Sequence, residues 1–158
     1  SSCGAAAEGE EDEEDEEDEE DEEEETPGLL GHGEGVLQLK TPTRLPSLFG
    51  GERAIGVAAS RSFSLALSAN GALWSWGWGY CGRLGHGDEQ NQLLPKKIEA
   101  FAGQRVVAVS AGVYHGIAIT ADGAVFTWGQ GEDGYLGHGE DLSNQMLPKK
   151  VEVWAPGQ

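Results

Sequence analysis

The sequence has little of what marks a membrane, secreted or disulfide-stapled protein. Its two cysteines, Cys3 and Cys81, are too few to predict a disulfide framework and too far apart in sequence for a Cys-x-x-Cys metal pair. This scarcity favours a reducing compartment, cytoplasmic or nuclear. No apolar run approaches ~18 residues, so no membrane span is expected, and the N-terminus lacks a signal-peptide pattern. Met146 is the only methionine, and without an initiator Met we expect a fragment of a longer protein or a processed product.

Basic residues are also scarce: 10 Lys and Arg face 28 Asp and Glu, for a net charge of −18. Glu8 and the unbroken run 10–25 hold 17 of those acids, which leaves 11 elsewhere. We therefore predict that residues 1–27 form a disordered acidic low-complexity tail, because like charges repel and nothing apolar is available to bury. The rest of the chain is nearly neutral, which argues against sequence-specific binding of nucleic acid.

Glycine, in contrast, is abundant, with 25 residues, and it recurs within a repeated pattern. Residues 73–88 return imperfectly as 125–140, so that Trp76 matches Trp128 at a spacing of 52. The Leu-Pro-Lys-Lys sequence at 94–97 returns at 147–150, and a partial copy of the glycine pattern occupies 28–33. Self-similarity with a period near ~50 indicates a repeat architecture.

The repeats divide the chain into a first-repeat remnant at 28–53, a second repeat at 54–105, a third at 106–154 and a C-terminal end at 155–158. β-branched content and turn spacing predict strands rather than helices. The predicted strands lie at 55–59, 63–67 and 73–78, and at 106–111, 117–120 and 125–129. Val36, Leu37, Leu39 and Leu45 predict one more strand in the remnant. Asn70-Gly71 and Asp122-Gly123 predict type I′ hairpin turns, in which both central residues have positive φ.

These motifs resemble the repeats of the regulator of chromosome condensation family. The third repeat follows that pattern closely, with Gly112, His115, Asp122-Gly123 and Trp128-Gly129 in register. The second repeat departs from it, since Ser60 replaces Gly112 and Phe63 replaces His115. The resemblance implies an all-β fold, here a partial β-propeller of about two and a half repeat blades, whereas relatives usually have seven. A β-sandwich, the competing fold, gives no reason for the internal repeat.

Catalytic groupings are missing from the sequence. There is no Ser-His-Asp set, no paired catalytic carboxylates and no zinc signature, so we expect neither an enzyme nor a bound cofactor or metal. His32, His86 and His138 stand alone in equivalent Gly-His-Gly turns, too far apart to share an ion, and we expect them to bind local backbone.

The function favoured by the resemblance is a protein-interaction module, regulatory or scaffolding. Candidate surface loops lie at 80–83, 88–92, 132–135 and 140–144. The candidate partner-binding residues on or beside them are Trp78, Tyr80, Arg83, Asp88, Glu132, Asp133, Tyr135, Glu140 and Asp141. The partner is expected to be a small GTPase or a basic protein such as a histone. Two alternatives remain open: guanine-nucleotide exchange on a small GTPase, as in the founding member, or a regulatory part of a larger ubiquitin ligase or kinase.

Overall fold

The computed structural model of the chain describes residues 29–36, 38–45 and 50–152. The predicted disordered tail at 1–27 and the C-terminal end at 155–158 lie outside the described residues.

In the described residues, eight strands form two four-stranded antiparallel sheets, one from each full repeat. The first sheet contains β1 (Ala54–Ala59), β2 (Phe63–Ser68), β3 (Leu73–Gly77) and β4 (Gln92–Lys97), paired in that order. The second contains β5 (Val106–Ala111), β6 (His115–Thr120), β7 (Val125–Gly129) and β8 (Gln145–Lys150). Short 3₁₀ turns at Tyr80–Gly82, Glu99–Phe101 and Glu132–Gly134 complete the regular structure. The predicted all-β class and the six predicted strands of the full repeats are confirmed.

The hairpin between β2 and β3 has a different turn from the one predicted. The N–H of Gly71 donates to Ser68 O at 2.9 Å, and the N–H of Ser68 donates to Ala72 O at 2.9 Å, which closes a three-residue loop. Gly71 has a φ of +83°, whereas Asn70 keeps a negative φ, so the turn is type I followed by a left-handed glycine. The side-chain Oδ1 of Asn70 accepts from the N–H of Ala72 at 3.1 Å and stabilises this arrangement.

The outermost strands, β4 and β8, were not predicted as strands. Each contains a proline, Pro95 or Pro148, and ends in two lysines, which hides the alternation that marks a strand. Proline lacks a backbone N–H and is tolerated on an edge strand, where that group faces no ladder partner. The pairing of β3 with β4 is irregular between Ser75 and Gly77, opposite the segment that contains Pro95.

The remnant of the first repeat contains no strand in its described residues, so the strand predicted there is wrong. Its described residues form turns and bends that contact the second repeat, for example through the Gly33 N–H, which donates to Leu93 O at 3.1 Å. In this described part the remnant has no neighbouring strand to pair with, so its backbone groups cannot form the hydrogen bonds of a β-ladder.

The core lies between the two sheets, where β1 and β2 pack against β5. Fully buried side chains from both repeats fill it, including Phe63, Leu65, Leu73 and Trp128. Phe101 packs edge-on against Trp128, with ring centroids 5.9 Å apart. The first sheet is therefore covered on the face that meets the second sheet, as expected for stacked blades.

Successive repeats are joined by one recurring hydrogen bond. The Trp128 indole N–H donates to Arg83 O at 2.9 Å, and the Trp76 indole N–H donates to Leu29 O at 3.1 Å. Leu29 and Arg83 occupy the same position of the glycine pattern in consecutive repeats. Each tryptophan is buried and satisfies its polar N–H on the preceding repeat, so this contact sets how one blade sits on the next.

Candidate partner-binding surface

A cleft of about 520 Å³ lies where the second repeat meets the third. We call it the arginine cleft. The turn after β1 contributes Arg61 and Ser62 to it, and the turn after β5 contributes Val113 and Tyr114. The remaining lining residues are Leu29, Trp78, Tyr80 and Arg83. Because residues from the remnant and from both full repeats line it, the cleft exists only when the repeats are packed together.

Arg83 forms the base of the arginine cleft and is only 2% exposed, although the sequence placed it on a surface loop. Its Nε donates to Tyr80 O at 2.7 Å and its Nη1 donates to Ser62 Oγ at 2.6 Å. The guanidinium carbon lies 4.9 Å from the centre of the Tyr114 ring and 5.7 Å from that of Tyr80. Burial lowers the pKa of Arg83, but a guanidinium stays charged in proteins, so the cleft holds a fixed positive charge.

Trp78 lines the same cleft and is half-buried. Its indole N–H is buried and has no hydrogen-bond partner among the described residues. A buried donor without a partner costs ~1–3 kcal/mol. The lining of the cleft therefore includes a residue with an unpaired buried donor, Trp78, and a residue with a fixed positive charge, Arg83.

A second cleft of about 370 Å³ adjoins the first, and both are lined by Val113 and Tyr114. We call it the tyrosine cleft, because Tyr135 occupies the position that Arg83 has in the preceding repeat. The Tyr135 ring stacks on His115, with centroids 5.9 Å apart and planes 12° from parallel. Glu132 and Asp133 also line it, and both are exposed, so its charge is opposite to that of the arginine cleft.

His115 can stack on Tyr135 because Gly112 leaves room for its ring. A Cβ on Gly112 would lie only 2.2 Å from the imidazole. Burial lowers the pKa of His115, which keeps the ring neutral near neutral pH. In the second repeat, Ser60 and Phe63 replace this pair, and Phe63 is fully buried. The Gly/His and Ser/Phe combinations are therefore alternative ways of packing the same corner.

The remaining predicted residues lie on two longer loops, each anchored by an asparagine that the sequence analysis did not single out. Asn91 Oδ1 accepts from the Gly79 N–H at 2.9 Å, and Asn144 Oδ1 accepts from the Gly131 N–H at 3.0 Å. A repeated Asn-Gln pair before each Leu-Pro-Lys-Lys motif was the available signal.

Asp88 and Asp141 shape these loops rather than standing free. Asp88 Oδ1 accepts from the Gln90 N–H at 3.1 Å. Asp141 pairs with Lys149 at 2.8 Å, and that hydrogen bond, followed by those from Ser143, lowers the pKa of the Asp141 carboxyl. Glu140 is exposed on the same loop.

Two of the three turn histidines contact side-chain hydroxyls, a type of partner that was not predicted. His86 Nε2 lies 2.8 Å from Ser75 Oγ, and His138 Nε2 lies 3.0 Å from Thr127 Oγ1. The Ser75 hydroxyl has one proton and donates it to Leu84 O, at 2.7 Å, so this hydroxyl must accept from His86. His86 is therefore the tautomer with its proton on Nε2. Within the described residues no three His, Cys, Asp or Glu side chains are grouped to hold a metal ion, and no helix is long and apolar enough to cross a membrane.

Comparison with known sequences adds the family. One model of the regulator of chromosome condensation (RCC1) repeat matches residues 70–119 and 122–155, and a second matches 54–83 and 106–134. The ultraviolet-B receptor UVR8 of Arabidopsis thaliana is 40% identical over 124 residues, which are 78% of this chain and 28% of that protein. The human E3 ubiquitin-protein ligase HERC2 is 38% identical over 112 residues, or 71% of this chain and 2% of that protein.

Solved structures show the same fold. Yeast RCC1 (Prp20), solved with Kap60 bound, is similar with a TM-score of 0.71 and 26% identity over 80% of this chain and 31% of that one. A second solved structure is that of Prp20p of Saccharomyces cerevisiae, which was described together with its binding to Gsp1p and histones. It is similar with a TM-score of 0.70 and 25% identity, over 81% of this chain and 32% of that one. The chain thus spans about a third of these structures and less than a third of the two curated relatives named above. It forms a partial β-propeller of about two and a half repeat blades and belongs to the regulator of chromosome condensation (RCC1) repeat family.

Proposed function

We propose that these repeats act as a protein-interaction module whose binding surface is the rim formed by the arginine and tyrosine clefts. One observation supports this most directly: three tyrosines are exposed around the two adjoining clefts. Tyr80 is 49% exposed, Tyr114 is 45% exposed and Tyr135 is 63% exposed. Exposed aromatic residues beside a cleft are typical anchors of protein interfaces, where a few of them supply most of the binding energy.

The charge around the tyrosine cleft favours a basic partner. Glu132 and Asp133 are exposed beside Tyr135, and within the described residues neither forms an ion pair. Complementary charge mainly raises the rate of encounter and the specificity of binding. Histones are therefore one candidate class of partner and a small GTPase is another; the solved relative Prp20p is described as binding Gsp1p and histones.

The test uses purified core histones and a panel of purified small GTPases as probes of binding by the full chain. We expect saturable binding of one of them, weakened at least about tenfold by Tyr135→Ala combined with Tyr114→Ala, since a hot-spot aromatic contributes ~2 kcal/mol or more. Val57→Ala is the matched control, because Val57 is 77% exposed on β1 and lies outside both clefts. Equal affinities for the wild type and the double variant would move the binding surface elsewhere.

Guanine-nucleotide exchange is the alternative that needs its own assay. Exchange factors act by displacing groups at the nucleotide site, so the absence of an acid–base grouping does not address this activity. We expect that this chain does not accelerate release of a fluorescent guanine nucleotide from a small GTPase. Acceleration at micromolar protein would favour exchange over simple binding. A regulatory role beside a ubiquitin ligase or kinase domain is the third possibility, and HERC2, a relative, is named as such a ligase.

A further inference from the structure

The arginine cleft contains a positive charge without a negative partner. None of its lining residues is Asp or Glu. Among the described residues the only ion pair joins Lys149 and Asp141, so neither Arg83 nor Arg61 pairs with a carboxylate there. A buried cation that lacks a counter-charge is costly, and an anion that reached it would be bound more strongly than at an open surface.

The chain itself carries a dense source of anions next to this cleft. Residues 10–25 are all Asp or Glu, and only three residues separate Glu25 from Leu29. Leu29 lines the cleft, and its carbonyl is held by the Trp76 indole N–H at 3.1 Å. Four residues of extended chain span at most about 14 Å, so the last acidic residues start within reach of the cleft.

We propose that the near end of the acidic segment, residues 18–25, binds in the arginine cleft of the same chain. The exposed guanidinium of Arg61 donates to these carboxylates, and the fixed charge of the buried Arg83 below it attracts them. Because the tether is short, the effective concentration of these carboxylates is in the millimolar range, which is enough for weak ion pairs to be populated. Several acids can exchange in one cleft, so the segment needs no fixed backbone conformation.

The tyrosine cleft shows why this occupant selects one site. It stands at the same place in the next repeat but has Tyr135, Glu132 and Asp133 where the arginine cleft has Arg83, Tyr80 and Cys81. Its carboxylates repel the acidic segment. The proposal does not depend on which partner, if any, binds the rim. An acidic partner therefore meets an arginine cleft that is already occupied, whereas the tyrosine cleft stays open.

The experiment compares two variants of this chain that lose the same number of Asp and Glu residues. Residues 18–25 and residues 10–17 each contain six Glu and two Asp. In one variant the first set is changed to Gln and Asn, and in the other variant the second set is changed. Both lose the same charge and differ only in distance from the cleft. The readouts are the ¹H–¹⁵N resonances of the Trp78 indole and of Arg83 Nε, with the buried Trp128 indole as the internal check on folding.

We expect the Trp78 and Arg83 resonances to shift in the 18–25 variant and to keep their wild-type positions in the 10–17 variant. In wild type, about 1 M salt should move them to the 18–25 positions, since screening then acts within ~3 Å. Arg61→Gln, at an exposed side chain, should reduce the difference between wild type and the 18–25 variant.

Three results would overturn the proposal. If neither variant moves the resonances, the segment does not reach the cleft. If both variants move them equally, the effect is the general field of the tail. If the wild-type positions change towards those of the 18–25 variant over about a tenfold dilution, the occupant is the tail of a second copy, because a tethered segment binds independently of concentration.

Discussion

Acid should destabilise this protein through His86, in a way that a single substitution can isolate. His86 Nε2 donates to the fully buried Ser75 hydroxyl, and this ring is neutral at pH 7. Burial, followed by repulsion from Lys96, lowers the pKa of His86 from its usual 6.5 to about 4. The unfolded chain keeps a pKa near 6.5, so it takes up a proton first as the pH falls. Stability is therefore unaffected above pH 6.5 and is lost progressively between pH 6.5 and about 4.

The size of the effect follows from the pKa change. At full burial, a fall from 6.5 to about 4 corresponds to about 3.4 kcal/mol. The ring is partly exposed, so solvent screening reduces this to about 1–2 kcal/mol. His86→Gln keeps a donor for Ser75 Oγ and does not titrate. The difference in unfolding free energy between wild type and this variant should change by that amount between about pH 7.5 and pH 4.5.

Urea unfolding followed by tryptophan fluorescence measures that difference at each pH. His138→Gln is the matched comparison, because His138 contacts Thr127 Oγ1 in the same way and burial is again the main cause that lowers its pKa. Carboxylates also titrate in this pH range, but their contributions to the unfolding free energy cancel when the variant and the wild type are compared. Parallel curves for wild type and His86→Gln would show that the His86 ring is not held neutral, and the reasoning would fail.

Four further outcomes are expected. Phe63→His should lower the free energy of unfolding in urea by about 3 kcal/mol. Part of this stability should return when Ser60→Gly is added, because that change restores the space that Gly112 gives His115. An unchanged urea midpoint for Phe63→His would refute the packing argument. Trp128→Phe should lower the free energy of unfolding by ~1–3 kcal/mol, because it leaves the Arg83 carbonyl unpaired. Trp76→Phe should lower it by less, because its acceptor, the Leu29 carbonyl, lies in the peripheral remnant. Equal losses for the two variants would contradict this. Amides of residues 5–25 should exchange rapidly, and protected amides there would rule out the predicted disorder. The isolated chain should self-associate in gel filtration with light scattering, because two full repeats and a remnant fall short of the ~4–8 blades of a closed propeller; a compact monomer would count against this.

The strands rich in apolar and β-branched residues and bounded by glycine turns were predictable because their signals are local. The boundaries of β5 and β7 agree with the prediction, and β6 begins two residues earlier, at His115. The strand β4 was missed because Pro95 and two lysines hide its pattern, and only its edge position makes that sequence compatible with a sheet. The type I′ turn was wrong because the Asn70 side chain favours a three-residue loop that the dipeptide alone does not reveal.

The candidate surface was harder to predict, because contacts between repeats decide it. Arg83 lies in a glycine-rich turn and reads as an exposed charge, yet Tyr114, 31 residues later, covers it. Tyr114 was not among the predicted site residues, since nothing in its own repeat marks it. Trp78 was singled out because Gln130 stands at its position in the next repeat, and Tyr135 because aromatic residues often anchor interfaces. Both line the clefts, and their role in binding stays a prediction.

The joint between repeats uses a backbone carbonyl as its acceptor, and this has a consequence for how such proteins diversify. Any side chain at that position supplies the same carbonyl, so the tryptophan of the next blade is satisfied whether the residue is Leu29 or Arg83. Mutation there can rewrite the chemistry of a cleft without weakening the contact that orders the blades. Tyr135 occupies the corresponding position in the third repeat. Duplicated repeats are thereby free to acquire different surfaces while inheriting one assembly rule.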